Sequence, residues 1–263
     1  MNDSVLLAAE AGVATITFNR PKLLNALDTS MVEGLEAALD WIAADERLRV
    51  VVLAGGGAGF MAGGDIKMFT GLTRLPAAER QPVFERFIHR FHPVILAMRR
   101  LKLPIVARVH GAVAGVGMSL MMACDLAIAS EDSYYTLAYC HLGTTPDGGS
   151  SWFLPRHVGS KKAMEIALLG DRFDAAAALR LGLVNEVVPA AELDARVAAL
   201  ARRLAAGPRE AYARTKRLLQ AASSASLADQ LAAEAENFAA CAATGDFAEG
   251  VDAFIAKRPP RFS

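Results

Sequence analysis

No sign of charge predominates in this chain: Lys plus Arg and Asp plus Glu each number 28 among 263 residues. Binding nucleic acid or an acidic membrane through an overall field needs a basic excess. Neither partner is expected, and any anionic ligand must be met locally. Cysteine is scarce, and Cys124, Cys140 and Cys241 have neither paired nor metal-ligand spacing. That excludes a disulfide scaffold and a structural zinc site, and fits a reducing compartment. No apolar run reaches the roughly 20 residues that span a bilayer. The opening Met-Asn-Asp-Ser has no basic-then-apolar leader, so the expected location is the cytoplasm. The Gly-Lys-Ser/Thr of a phosphate-binding loop is missing, and Gly115-x-Gly117 is too short for a dinucleotide fingerprint. No metal and no separate cofactor are expected.

What is present is apolar bulk and two glycine-lined turns. At 53% hydrophobic, 263 residues can bury a substantial core as one large domain, or as a domain with a helical extension. From Ile105 a β-branched run enters a small-residue turn, and an apolar helix-like segment, Met118 to Ala123, follows. Gly111, Gly115 and Gly117 remove side chains there, so N–H groups at the helix entrance can approach a ligand closely. Upstream, the strand-like Val50 to Leu53 runs through a second bare stretch into Phe60-x-Ala-Gly-Gly-Asp-Ile-Lys67. Either loop alone also reads as an ordinary tight turn between strand and helix. Two such helix starts together point to a two-donor oxyanion hole.

Around these turns the pattern predicts a hairpin over residues 5 to 19 and a helix from Ser30 to Ala44 capped by Asp28 or Thr29. A helix-rich insertion, broken at Pro76, follows from Ile66 to Arg100. Short strands are expected at Asp125 to Ser130, Ser133 to Leu137 and Val184 to Val188, and helices near Ser160 to Leu169 and Asp174 to Leu181. From Glu192 the pattern turns almost wholly helical. The boundary falls near residue 195, giving a core over 1–195 and a helical region over 196–263.

Several segments, taken in order, resemble the crotonase superfamily and its enoyl-CoA hydratase/isomerase family. They are Arg20-Pro-Lys-x-x-Asn-Ala-Leu27, Phe60 to Lys67, His110-Gly-x-x-x-Gly-x-Gly-Met-Ser119, Ala123-Cys-Asp125 and Leu142-Gly-x-x-Pro146. Gly170-Asp-Arg172, Ala178-x-x-x-Gly-Leu-Val184 and Phe254-x-x-Lys-Arg258 continue the match over nearly the whole chain. The resemblance implies an α/β protein: a crotonase-type spiral of ββα turns with a C-terminal helical extension. It implies an acyl-CoA thioester as substrate, coenzyme A being part of that substrate. It also implies a homotrimer or dimer of trimers, in which the tail carries Phe254 and Lys257 to a neighbour's site. Without the resemblance, Lys257 and Arg258 also read as charges complementing a helix C-terminus.

By the same resemblance the oxyanion donors are the backbone N–H groups of Gly64 and Val116. Asp65, Ile66 and Lys67 touch the ligand, Leu27 and Ala62 line the coenzyme groove, and Lys22 meets its phosphates. The two glutamates of a hydratase correspond to Ser119 and Tyr139, and neither can replace a carboxylate as general base near neutral pH. Asp125 and Asp132 are the nearby acids if another residue serves. Asp147, eight residues after Tyr139, stands where isomerases carry a proton-shuttling acid and 4-chlorobenzoyl-CoA dehalogenases a nucleophile. The Pro146-Asp147-Gly148 turn is equally good N-cap chemistry. His92 keeps the spacing to Pro104 of a dehalogenase histidine, although a His before Pro93 also suits a helix start. Double-bond isomerisation is the favoured activity, with hydratase, dehalogenase or thioesterase, and a non-catalytic acyl-CoA binder as alternatives.

Overall fold

A computed structural model describes residues 2–263. Strands β1 (Val5–Glu10) and β2 (Val13–Phe18) form the expected hairpin, in register from Val5 opposite Phe18 to Glu10 opposite Val13. Its two-residue turn holds Ala11 at φ +48° and Gly12 at φ +79°, the left-handed pair that a tight hairpin needs. Parallel to β2 run β3 (Val50–Gly55), β5 (Ile105–Val109), β7 (Leu126–Ser130) and β10 (Glu186–Val188), in the order β1-β2-β3-β5-β7-β10. Every residue of β3 is buried, which is why its sequence is a continuous apolar run rather than an alternation.

A second sheet stacks the short strands β4 (Gly59–Met61), β6 (Ala112–Ala114), β8 (Tyr134–Thr136) and β9 (Phe173–Asp174). β3 feeds β4, β5 feeds β6 and β7 feeds β8, so the chain winds as the expected ββα spiral. Helix α1 (Thr29–Ala44) is capped by Asp28, which accepts from Met31 N at 2.8 Å. In the insertion, α2 (Ile66–Leu72) and α3 (Ala77–Arg100) meet at Pro76. Helix α4 (Val116–Ala123) follows β6, and α5 (Ser150–Val158), α6 (Ser160–Leu169) and α7 (Ala175–Arg180) pack beyond it.

One local expectation is corrected. His92 and Pro93 lie well inside α3, not at a helix start. Phe91, Val94, Ile95 and Met98 are buried and hold the helix together, while Pro93 faces solvent, where water can reach the carbonyl that loses its partner. Trp152 to Arg156 lies inside a helix, α5, which also accommodates Pro155.

The C-terminal region begins with α8 (Leu193–Ala205), whose Leu193, Val197 and Ala201 pack on Val50, Val52, Val106, Ile128 and Val188. This helix covers one face of the large sheet. Beyond it come α9 (Arg209–Ala221), α10 (Leu227–Ala242) and α11 (Gly245–Ile255). α10 buries no residue and α11 only Ala253. Among the described residues, no helix is long and apolar enough to cross a membrane.

Candidate active site

The segment after β2 and the segment after β4 lie side by side. Ala62 N donates to Leu24 O at 2.9 Å, Leu27 N to Gly63 O at 2.8 Å and Asp65 N to Leu27 O at 2.9 Å. Backbone groups alternate sides along such a bridge, so with Gly63 O and Asp65 N engaged, Gly64 N–H is turned the other way. No protein group among the described residues accepts it. Asn25 fixes this arrangement. It sits fully buried at φ +57° and shares its side-chain N–H groups among Gly56 O, Gly59 O and Phe60 O at 2.9, 2.8 and 3.2 Å. Arg20 adds a second tie: its Nη2 is 2.8 Å from Asp65 and 3.2 Å from Asp28, and its Nη1 donates to Ala26 O. Asp65 in turn caps α2, accepting from Lys67 N at 3.1 Å.

The second loop arrives from β6. Gly115, at φ +52°, donates to Thr136 O at 3.0 Å, and α4 begins at the next residue. The first N–H groups of a helix have no partner within it. Val116 N–H finds none elsewhere among the described residues. The Val116 side chain is 3% exposed, packed in the core and so no obstacle beside its own N–H. A Cβ on Gly117 would come 2.3 Å from Met61 O, so a bare residue lets α4 lie directly on β4. The two glycine loops touch, since a Cβ on Gly115 would stand 3.5 Å from Gly63 Cα.

Tyr139 closes the third side. Its ring lies 3.8 Å from where a Gly115 Cβ would stand, and its hydroxyl donates to Asp147 Oδ1 at 2.5 Å. The other carboxylate oxygen takes no hydrogen bond from the described residues. Burial raises the Asp147 pKa above the usual carboxylate range, opposed by the Tyr139 hydroxyl and by the charge of His92. Burial, and then the Asp147 charge, push the Tyr139 phenol upward too, so it stays a donor. Ser119 is fully buried, bonded to Ser150 and to the main-chain carbonyl of Asp147, and offers no base.

Aromatic side chains from the insertion stand nearby. A Cβ on Gly64 would stand 3.5 Å from Phe69 Cζ, Phe69 packs edge-on against Phe84 and Phe87, and Phe91 lies beside Gly148.

The expected site residues thus divide into two groups. Gly64, Val116, Tyr139 and Asp147 come together from four separate segments, with Leu27, Ala62 and Asp65 bound into the first loop. Lys22, Ile66 and Lys67 are exposed at the rim of that loop. Phe254, 86% exposed, and Lys257 lie on the surface at the end of α11, outside the cluster. Neither alternative acid joins it: Asp125 pairs with Lys216 at 2.7 Å, and Asp132 is exposed.

Sequence reasoning passed over Arg20, Asn25 and Ser150 as positioning residues. The first two sat in a quoted motif without a role. The pairing of Ser150 with Ser119 carried no signal, because the two are 31 positions apart. Chemically, the cluster can polarise one oxygen between two N–H donors and move one proton through one carboxylate.

Comparison with known proteins identifies the family and the fold. The family model for enoyl-CoA hydratase/isomerase matches residues 8–263. A 1,2-epoxyphenylacetyl-CoA isomerase of Escherichia coli is 34% identical over 100% of this chain and 99% of its own. A 4-chlorobenzoyl coenzyme A dehalogenase of Arthrobacter is 34% identical over 94% of this chain and 88% of its own. The crystal structure of an enoyl-CoA hydratase from Polaromonas superposes with a TM-score of 0.92 at 32% identity, covering 98% of this chain and 99% of the other. With the motifs, the spiral fold and a match spanning nearly its whole length, this chain belongs to the enoyl-CoA hydratase/isomerase family.

Proposed function

We propose that the protein isomerises the double bond of an enoyl-CoA thioester, with Asp147 as the single acid/base. The thioester carbonyl oxygen sits between the N–H groups of Gly64 and Val116. Asp147 removes a proton from the α carbon of a 3-enoyl-CoA, and the electron pair delocalises into a dienolate whose charge rests on that oxygen. The same carboxyl group then returns the proton at the γ carbon, giving the conjugated 2-enoyl-CoA. One carboxylate suffices because the base that takes the proton gives it back.

The observation that carries this reading is the lone Asp147 carboxylate, with one oxygen bonded by Tyr139, one oxygen open and a pKa raised by burial. Addition of water calls for carboxylates at the positions of Ser119 and Tyr139, and neither residue has one. Lys22 and Lys67 are offered to the phosphates of coenzyme A, with Leu27, Ala62 and Ile66 along its length. The chain works as a homotrimer or dimer of trimers, in which Phe254 and Lys257 close a neighbouring site. The exposed apolar side chains Leu227, Leu231, Phe238 and Phe254 support that assembly.

The test is conversion of 3-enoyl-CoA to the 2-enoyl isomer by wild type and by Asp147→Asn, which keeps size and removes the base. Loss of turnover by about 10²–10⁴-fold in the variant is expected. Unchanged turnover would overturn the assignment.

A second reading is supported by the similarity to a 4-chlorobenzoyl coenzyme A dehalogenase of Arthrobacter. Here Asp147 attacks an aromatic ring carbon bearing chlorine, chloride leaves, and water hydrolyses the ester. Chloride release from 4-chlorobenzoyl-CoA without isomerisation of 3-enoyl-CoA would favour it.

A further inference from the structure

Ser119 and Ser150 are both fully buried, and neither reaches the reacting atoms in the reading above. Their hydroxyl oxygens are 2.6 Å apart, and each stands 3.0 Å from the main-chain carbonyl oxygen of Asp147. Ser150 N–H reaches the same oxygen at 3.0 Å. Two hydroxyl protons thus serve a triangle of three oxygens. One hydroxyl donates to the carbonyl and the other to its neighbour, and the roles can exchange with every group still satisfied.

The turn above this triangle has no slack. Gly148, at φ +57°, is so closely packed that a Cβ would stand 2.9 Å from Phe91 and 3.0 Å from Ser119 Cβ. Asp147 is therefore held at both ends, its carbonyl by the serine pair and its carboxylate by Tyr139.

We propose that Ser119 and Ser150 are positioning residues for proton transfer, clamping the main chain of Asp147 so that its carboxylate keeps one direction and stays out of water. This rests on Asp147 being the acid/base, but it has a readout independent of turnover. Hydroxyls that only stabilised the fold would alter melting and leave the titration of Asp147 in place. A clamp acts on the carboxylate itself. Loosening it admits water, relaxes the burial that holds the pKa up, and lowers the titration point towards the ordinary range.

The experiment compares Ser119→Ala, Ser150→Ala and the double variant. Titration of Asp147 is followed by carbon-13 NMR of labelled carboxyl groups, with Asp147→Asn identifying the resonance, alongside kcat and KM on 3-enoyl-CoA. Each single variant keeps one hydroxyl on the carbonyl and should lose only a few-fold in kcat. The double variant should lose about 10²-fold, as for a misplaced catalytic group, with KM little changed and the titration point moved down. Each single variant, with one of the two hydroxyls gone, should show a smaller downward shift beside its few-fold loss in kcat, and if the double variant does not fold that smaller shift in Ser119→Ala decides. A titration point that stays at the wild-type value, or a rise in KM with kcat intact, overturns the clamp. Wild type that fails to isomerise while the titration point shifts as stated would sink the isomerase reading and leave the clamp standing.

Discussion

The Tyr139 hydroxyl donates to Asp147 Oδ1 across 2.5 Å, while the ring of the same tyrosine packs beside Gly115, the residue before the second free N–H. One side chain therefore sets the distance between the Asp147 carboxylate and the Gly115 loop. Burial raises the carboxyl pKa, and the tyrosine hydrogen bond works against that rise. Tyr139→Phe removes the opposing bond and keeps the ring. The carboxyl pKa should climb further, so the acid limb of the kcat/KM profile should move to higher pH and activity near neutrality should fall. A limb left in place would show either that the hydroxyl does not act on the Asp147 carboxylate or that Asp147 is not the group titrating in that limb.

The same raised pKa makes a statement about stability. In the unfolded chain Asp147 titrates as an ordinary carboxyl group, near pH 3.9, and in the folded chain it titrates higher. Between the two values the folded state holds more protons than the unfolded one. Stability then falls as pH rises through that window, and the cost stands in full above the folded pKa. Asp147→Asn removes the charge and leaves the Tyr139 hydroxyl a partner. It should melt above wild type at neutral pH, by about 2–4 °C for each kcal/mol relieved. The gap should close as pH is lowered. Equal melting at neutral pH would mean that the buried carboxylate is no burden.

How far the sequence disclosed this site follows from the range of each interaction. The two glycine loops were legible because each shows itself locally, as bare residues between a strand and a helix, whereas Gly64 and Val116 were singled out within them only by the family resemblance. Asp147 was legible as a lone acid eight residues from Tyr139, but their contact was not, since the turn at Gly148 and Gly149 that brings them together depends on packing against Phe91 and Phe153. Asn25 was hidden for a related reason: its acceptors lie 31 to 35 positions away on another strand segment. In the fold, Pro93 suggested a helix start, and buried contacts on either side overrode that local preference.

Two glycines should separate stability from activity. A methyl group on Gly117 would meet the backbone oxygen of Met61 at 2.3 Å, which cannot yield without moving α4 off β4. Gly117→Ala should cost about 1–3 kcal/mol in urea unfolding. At Gly64 the nearest atom to a new methyl is Phe69 Cζ at 3.5 Å, an ordinary contact, but the methyl stands beside the free N–H. Gly64→Ala should change unfolding free energy by no more than about 0.5 kcal/mol and still depress kcat. If Gly64→Ala matched wild type in turnover, that N–H would not face the substrate.

A partly buried ion pair ties α9 of the helical tail to the core. Lys216 on α9 places Nζ 2.7 Å from Asp125 Oδ2 and 3.0 Å from Leu103 O, with its side chain only 9% exposed. Burial lowers the lysine pKa and the Asp125 charge opposes that, so the pair stands only while both partners are present. Lys216→Met fills the space but strands the carboxylate. Truncating one member of a buried pair costs about 3–5 kcal/mol, and the residual access of Asp125 to solvent, with the Ile105 N–H donating to it at 2.8 Å, brings the figure towards the lower end. Lys216→Met with Asp125→Asn should recover a large part of that loss, because no unpaired charge remains. Since α10 and α11 bury almost nothing of their own, the single variant should also become susceptible to limited proteolysis between α8 and α9 before the core is cut. Cleavage no faster than in wild type would show that the packing of α9, rather than the ion pair, holds the tail in place.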